Sequence, residues 1–312
     1  MSGAARKATQ VNAVSPNAPP RVSVIMATWN WSSFLPYSIG SVLRQDYSDF
    51  ELLVVGDACT DGSEQEVRAF GDPRVRWINL AERHGHQAGP NNEGLRQARG
   101  ALIAYLGHDD LWLPHHLSVL VAAIDGGADL AWGIARMVAP TDPELDGAHA
   151  VAAFRPGMWL PPSSVVHRKA LSDRAGGWRD YRELDCDPDT EIWARLHAHG
   201  ARMQPVPRLT VVKFPAAARR DVYREKPCHE QAAWSARIAR EADFEAVELA
   251  GTLMTEKARP RVKPYRALLA ELASRTVRGA VRRLLPRDAR RRQQLFFERR
   301  RRFKGAPPPG GE

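Results

Sequence analysis

The chain of 312 residues is 44% hydrophobic and 26% charged, which supplies a real core and excludes a wholly disordered or collagen-like chain. Three cysteines, Cys59, Cys186 and Cys228, are too few and too scattered for a disulfide framework or a cysteine zinc site, and a reduced cytosolic setting is the natural reading. The formal charge of +9 is uneven: Lys257 to Lys304 holds 18 Lys or Arg against three acids, a net of +15, so the remaining residues carry −6 and any argument about anionic partners concerns the tail alone.

Residues 1–20, rich in Ala, Asn, Ser and Pro, read as a flexible arm without the apolar centre of a signal peptide. No run approaches the roughly 18 apolar residues of a membrane span. Val22–Thr28 is β-branched and reads as a strand; Phe34–Gln45 keeps Leu35, Ile39, Val42 and Leu43 at helical spacing, with Ser32 or Ser33 as cap and Pro36 in the first turn. Phe50–Val55 predicts a second strand, Asp61–Phe70 a second helix and Val75–Leu80 a third strand. Asn91–Arg99 predicts a helix closed by Gly100, and Ala101–Leu106 a fourth strand. Strands spaced by about one helix imply right-handed βαβ units and a mostly parallel sheet buried on both faces. Pro114–Ile124 then reads as helix, Leu130–Val138 as strand, 139–162 as Pro-rich loop, Thr190–His199 as helix and Leu209–Phe214 as strand. From Lys226 onward the pattern is helical, interrupted by Pro260, Pro264 and Pro286.

Ligands of an open parallel sheet bind beyond the carboxyl ends of its strands. Strand one ends in Thr28-Trp29-Asn30, strand two in Gly56-Asp57-Ala58-Cys59-Thr60-Asp61-Gly62, and strand four in Gly107-His108-Asp109-Asp110. Each acid has a local alternative as a helix cap, but carboxylates gathered on one buried edge call for a cation or a donor. Neither Gly-x-Gly-x-x-Gly nor Gly-x-x-x-x-Gly-Lys is present, so the usual dinucleotide and phosphate cradles are unsupported. A nucleotide held without them needs carboxylate contacts to its base and a hard cation at its phosphates, for which an Asp109 oxygen suits Mg²⁺ or Mn²⁺.

Val22-Ser-Val-Ile-Met-Ala-Thr-Trp-Asn, Ser41-Val-Leu-Arg-Gln, Glu51-Leu-Leu-Val-Val-Gly-Asp-Ala-Cys-Thr-Asp-Gly-Ser, Asn92-Glu-Gly-Leu and Arg99-Gly-Ala-Leu-Ile-Ala-Tyr-Leu-Gly-His-Asp-Asp-Leu-Trp together resemble family 2 glycosyltransferases, over roughly residues 20–215. The resemblance implies an α/β, Rossmann-like GT-A fold and inverting transfer from a nucleotide-diphospho-sugar. The implied organisation is an arm at 1–20, a transferase domain at 21–225 with donor half 21–112 and acceptor half 113–225, a basic helical extension at 226–304 and a flexible tip at 305–312.

By the same resemblance Thr28, Asn30 and Asp57 hold the base, usually uracil, whose imide N–H a carboxylate can accept. Asn92 and Asp110 join the donor site, and Asp109 is the metal ligand. Gly56 and Gly107 stand where the family has acids, which leaves a metal-sparing mechanism open. His108 could compensate or be an exposed loop histidine. Asp187-Pro-Asp-Thr-Glu-Ile-Trp-Ala-Arg-Leu matches the segment carrying the general base, giving Asp189 first and Asp187 second; Asp189 could also be that helix's N-cap. Ser163-Ser164 and Gly176-Gly177-Trp178 border the implied acceptor site, with Trp178 either stacking on sugar or packed in the core. Arg83, His84 and His86 could help to neutralise the leaving diphosphate.

The tail at 261–302 alternates apolar residues with arginines and suits an interfacial helix on an anionic membrane surface, the alternative being a helix packed on the body; nucleic acid is not an expected partner. The enzyme reading is a cytoplasmic, peripheral membrane transferase acting on a glycan or lipid-linked acceptor. The rival is a non-catalytic scaffold relative that binds nucleotide weakly.

Overall fold

The computed structural model describes residues 18–219 and 222–258; most of the expected N-terminal arm, the basic segment 261–302 and the tip lie outside them. The elements in chain order are β1 (Val22–Thr28), α1 (Leu35–Leu43), β2 (Phe50–Gly56), α2 (Ser63–Ala69), β3 (Val75–Asn79), α3 (Ala88–Gln97), β4 (Leu102–Tyr105), β5 (Leu111–Trp112) and α4 (His116–Asp125). They continue with β6 (Leu130–Met137), β7 (Gly147–His149), β8 (Val165–Arg168), α5 (Lys169–Ala175), α6 (Pro188–Ala198), β9 (Met203–Lys213), α7 (Val222–Glu225), α8 (His229–Arg240) and α9 (Phe244–Ala258).

Among the described residues nine strands form one sheet, ordered β3-β2-β1-β4-β8-β6-β9-β5, with β7 paired to β6. β1 runs parallel to β2 and β4, and β2 to β3, as the βαβ spacing predicts. Register sets Thr28 beside Gly56 and Gly56 beside Asn79, so three strand ends share one edge. The other half is mixed, because β8 runs antiparallel to both β4 and β6 while β6 and β9 are parallel.

β1 is buried on both faces, which explains why its run is mostly apolar. Val22, Val24 and Met26 pack with Leu35, Ile39 and Val42 of α1 and Leu117, Leu120 and Ile124 of α4. Ile25 faces the other core, built with Leu95 of α3, Leu171 of α5 and Ile192, Trp193 and Leu196 of α6. A third cluster joins β5 and β9 to the C-terminal helices, where the Trp234 ring meets Phe214 and Phe244 edge-on at 6.4 and 6.0 Å. Glu248 of α9 pairs with Arg136 at 3.0 Å and with Arg237 at 2.7 Å. The stretch 229–258, expected within the basic extension, is thus packed on the body. No helix among the described residues is long and apolar enough to cross a membrane.

Three local expectations are corrected. Neither Ser32 nor Ser33 caps α1; Phe34 holds the N-cap position with no side-chain cap, and the Ser32 N–H donates instead to Asp61 Oδ2 at 3.0 Å. α3 starts at Ala88, three residues early, because Pro90 in a first turn gives up an N–H that has no intrahelical partner there. Gly100 does not close α3, which ends at an extended Ala98. Its role is close approach: the Gly100 N–H donates to Ser23 Oγ at 2.8 Å, and a Cβ would sit 2.6 Å from Ser23 N.

Candidate active site

The ends of β1 and β2 form one corner of the site. Thr28 is buried, and its hydroxyl has no hydrogen-bond partner among the described residues. Asn30 takes a left-handed backbone (φ 55°), which asparagine tolerates. Its Oδ1 accepts from Thr60 N at 2.8 Å and Asp61 N at 3.3 Å, so the side chain stitches the β1 loop to the β2 loop. Asp61 accepts from Ser63 N, Ser63 Oγ and Ser32 N; burial pushes its carboxyl up, but these donors outweigh it and hold it below the usual range. Gly56, where the family has an acid, is filled space: a Cβ there would lie 2.5 Å from Asn79 Oδ1 and 2.7 Å from the Trp77 ring. Asn79 in turn brackets Cys59, accepting from its N–H at 2.8 Å and donating to its carbonyl at 3.0 Å.

Asp57 is 3% exposed and anchors the loop after β3. His84 N donates to Oδ1 and Gly85 N to Oδ2, each at 2.8 Å, and the His84 ring stands 3.2 Å from Oδ1. Arg83 lays its guanidinium 3.4 Å above the Trp29 ring. Lys226, from the C-terminal segment, donates to the Asn30 carbonyl and lies 5.6 Å from the Trp29 ring centroid.

The β4 end forms the second corner. Asp110 is fully buried; its Oδ2 takes the Lys213 ammonium at 2.8 Å and the Ser163 hydroxyl at 2.5 Å, and its Oδ1 takes Phe214 N at 3.1 Å. Burial pulls the Lys213 pKa down, but Asp110 and Asp109 outweigh it and leave it above the ordinary lysine value. Gly107 makes room for this pair, since a Cβ there would come within 2.8 Å of Asp110 Oδ2. Burial, joined by Asp110, raises the Asp109 carboxyl above the usual range against the pull of His108, Lys213 and its own backbone N–H. His108 is half-buried rather than an exposed loop residue, with Nδ1 3.1 Å from the Ala27 carbonyl and its ring 4.5 Å from Trp31.

Asp187 is the N-cap residue of α6, and Asp189 is the second residue of that helix. Gln87 donates to Asp189 Oδ1 at 2.5 Å and the Trp159 indole N–H to Oδ2 at 3.2 Å. Lys213 feels Asp110, Asp109 and Asp189 together, which brings the base candidate and the β4 end into one electrostatic neighbourhood. Asn92 spends its amide on the backbone of Trp178, accepting from its N–H and donating to its carbonyl, each at 2.8 Å. Trp178 is 3% exposed and packs on Tyr105 and Trp193, so it is a core residue and does not face sugar.

Sequence reasoning missed Lys213, Gln87 and Trp159, and it set Ser163 at the acceptor border without its bond to Asp110. For Lys213 a signal existed, since a lone lysine at the end of an apolar β-branched strand needs a buried counter-charge. For Gln87 and Trp159 there was none, because their contacts to Asp189 span 102 and 30 residues. No cluster of three His, Cys, Asp or Glu among the described residues is placed to hold a metal. Asp110 is committed to Lys213, which leaves Asp109 as the carboxylate beyond β4 that would hold a divalent cation such as Mg²⁺.

The profile of Glycosyl transferase family 2 matches residues 23–170. The UDP-Glc:alpha-D-GlcNAc-diphosphoundecaprenol beta-1,3-glucosyltransferase WfgD of Escherichia coli is 36% identical over 101 residues, 32% of this chain and 40% of that protein. The succinoglycan biosynthesis protein ExoO of Rhizobium meliloti is 35% identical over 113 residues, 36% of this chain and 32% of that protein. These matches span well under half of either relative. Among solved structures, S. aureus TarS 1–349 in complex with UDP-GlcNAc superposes with a TM-score of 0.53 at 19% identity, over 78% of this chain and 75% of that one. The mannosyltransferase PcManGT from Pyrobaculum calidifontis, in complex with GDP-Man and Mn²⁺, gives 0.51 at 22% identity, over 87% and 84%. The parallel β1–β4 half with its polar strand ends, the motifs along it and these likenesses agree: residues 23–170 match a glycosyltransferase family 2 domain, and the fold is of GT-A type.

Proposed function

We propose that the protein is an inverting glycosyltransferase that moves a sugar from a nucleoside-diphosphate donor, a UDP-sugar, to a hydroxyl of a glycan or lipid-linked acceptor. The observation that carries this is the gathering of polar strand ends on one sheet edge, with Thr28 beside Gly56 just before Asp57, and the Asp110–Lys213 pair beyond β4. The base corner takes the nucleotide through Thr28, Asn30 and Asp57, with Asn92 bracing its wall and Asp110 bracing Lys213. Asp189, with Asp187 second, removes the acceptor proton as the acceptor oxygen bonds to the anomeric carbon. The bond from that carbon to the diphosphate breaks, and its electron pair leaves on the phosphate oxygen. A divalent cation, Mg²⁺ or Mn²⁺, held by Asp109 and the diphosphate would neutralise that charge. Lys213 keeps one permanent positive charge in the same corner. The uridine donor and lipid-linked acceptor draw on the 36%-identical E. coli relative.

A non-catalytic scaffold would account for Gly56 and Gly107 as lost acids. Both positions are occupied by an alternative packing, Asn79 at one and the Asp110–Lys213 pair at the other, which favours a rebuilt site over a decayed one. Docking of 261–302 on an anionic membrane surface belongs to the proposal on sequence grounds alone, and cosedimentation of the full chain with anionic vesicles tests it.

Calorimetric titration of UDP, GDP and dTDP into the purified protein, with and without Mn²⁺, tests the donor site. UDP is expected to bind best, and more tightly with the metal. Absence of binding by all three would sink the enzyme reading.

A further inference from the structure

We infer that Gln87 and Trp159 are positioning residues for the Asp189 carboxylate, and that the segment carrying Gln87 ties this base to the donor corner. The inference rests on the reading of Asp189 as the base. The Gln87 amide donates to Oδ1 at 2.5 Å and the Trp159 indole donates to Oδ2 at 3.2 Å, so each carboxylate oxygen receives a neutral donor from a different part of the chain. A carboxylate that must take a proton from an acceptor hydroxyl works only with its free lone pairs aimed at that oxygen, and two donors on opposite oxygens fix the plane in which those lone pairs lie. Both donors also favour the charged form of the carboxylate over the neutral acid.

Gln87 occupies the N-cap position of α3 but makes no side-chain cap there. The helix does not need this side chain, so its amide is free for Asp189. Two residues upstream the same segment is pinned to the donor corner, where His84 N and Gly85 N both donate to Asp57. One short stretch, 84–87, therefore touches the carboxylate of the nucleotide corner at one end and the base at the other. A base contact that draws Asp57 or the 84–85 backbone to the donor acts on Gln87 through three covalently linked residues. Trp159 is held separately: its carbonyl lies 3.2 Å from His149 Nε2, and its ring packs 5.1 Å from the His149 ring.

The test uses Gln87→Met, which keeps length and packing but removes the donor, and Gln87→Glu, which sets a second carboxylate against Asp189. Lys213 acts on Asp189 electrostatically, and Asp187 and Glu191 flank it on α6; both variants leave these groups in place. Gln87→Met is expected to lower kcat about tenfold with the donor KM nearly unchanged, the loss of one hydrogen bond to a charged group. The acid limb of the kcat/KM profile is expected to move to higher pH, further for Gln87→Glu, because a lost donor and an added like charge both disfavour the ionised carboxylate. Trp159→Phe is expected to shift it in the same direction by less. An unmoved acid limb in both Gln87 variants would overturn the inference, and so would a kcat loss that simply tracks a lowered Tm. The base assignment has its own control: if Asp189→Asn keeps wild-type turnover, that reading fails first and the positioning role falls with it.

Discussion

Asp189→Asn is expected to lower the rate of sugar transfer by about 10²–10⁴-fold while leaving nucleotide affinity nearly unchanged. The carboxylate stands at the second position of α6 and receives the Gln87 amide and the Trp159 indole. Asparagine keeps the shape but cannot take a proton from the acceptor, so the loss falls on the chemical step. Its amide can accept on only one oxygen, which leaves one of the two donors facing an N–H₂ group and adds a smaller positional cost. Asp187→Asn is the matched control: Asp187 is exposed and its side chain caps no helical N–H, so the expected loss is far smaller. Turnover of nucleotide-sugar by the two variants, compared with UDP affinity by calorimetry, separates these outcomes. Equal losses in both would reverse the order of the two carboxylates.

Asp110→Ala is expected to cost about 3–5 kcal/mol of folding stability, the usual result of removing one partner from a buried ion pair. Asp110 is fully buried and holds Lys213, Ser163 and the Phe214 N–H at once, while the Lys213 side chain is only 19% exposed. Alanine would strand the ammonium among apolar strand residues and leave a hydroxyl and a backbone N–H without their acceptor. The double variant Asp110→Asn with Lys213→Met removes both charges and should recover most of that loss, since a paired replacement avoids an uncompensated charge. Denaturant midpoints of the three proteins check this. A single variant as stable as wild type would mean that solvent reaches Lys213 freely.

Much of the fold was legible because β1, β2 and β4 are buried on both faces and read as mostly apolar runs. Val22–Thr28 shows this best, with side chains in two cores. Less was legible where meaning depends on close approach. Gly100 reads as a helix stop, yet its reason is the backbone of β1 only 2.6 Å from where a Cβ would stand. Trp178 could equally have faced a sugar until its neighbours Tyr105 and Trp193 were known. Asp57 and Asp109 could be set at strand ends from local pattern, and Asp189 at a helix start from the resemblance, because strand ends and helix starts are local features. What surrounds them could not, since Lys213, Gln87 and Trp159 arrive from strands and loops far away in sequence, and no periodicity records such meetings.

The central claim is inverting transfer from a nucleotide-sugar, and proton NMR of donor turnover tests it most directly. The full chain would be incubated with α-linked UDP-sugars, a panel of simple glycosides as acceptors and Mn²⁺, with GDP- and dTDP-sugars alongside. The account predicts release of UDP with a β-configured product formed first, and loss of both signals in Asp189→Asn. An α-configured first product, or no nucleotide released from any donor in the panel, would contradict it.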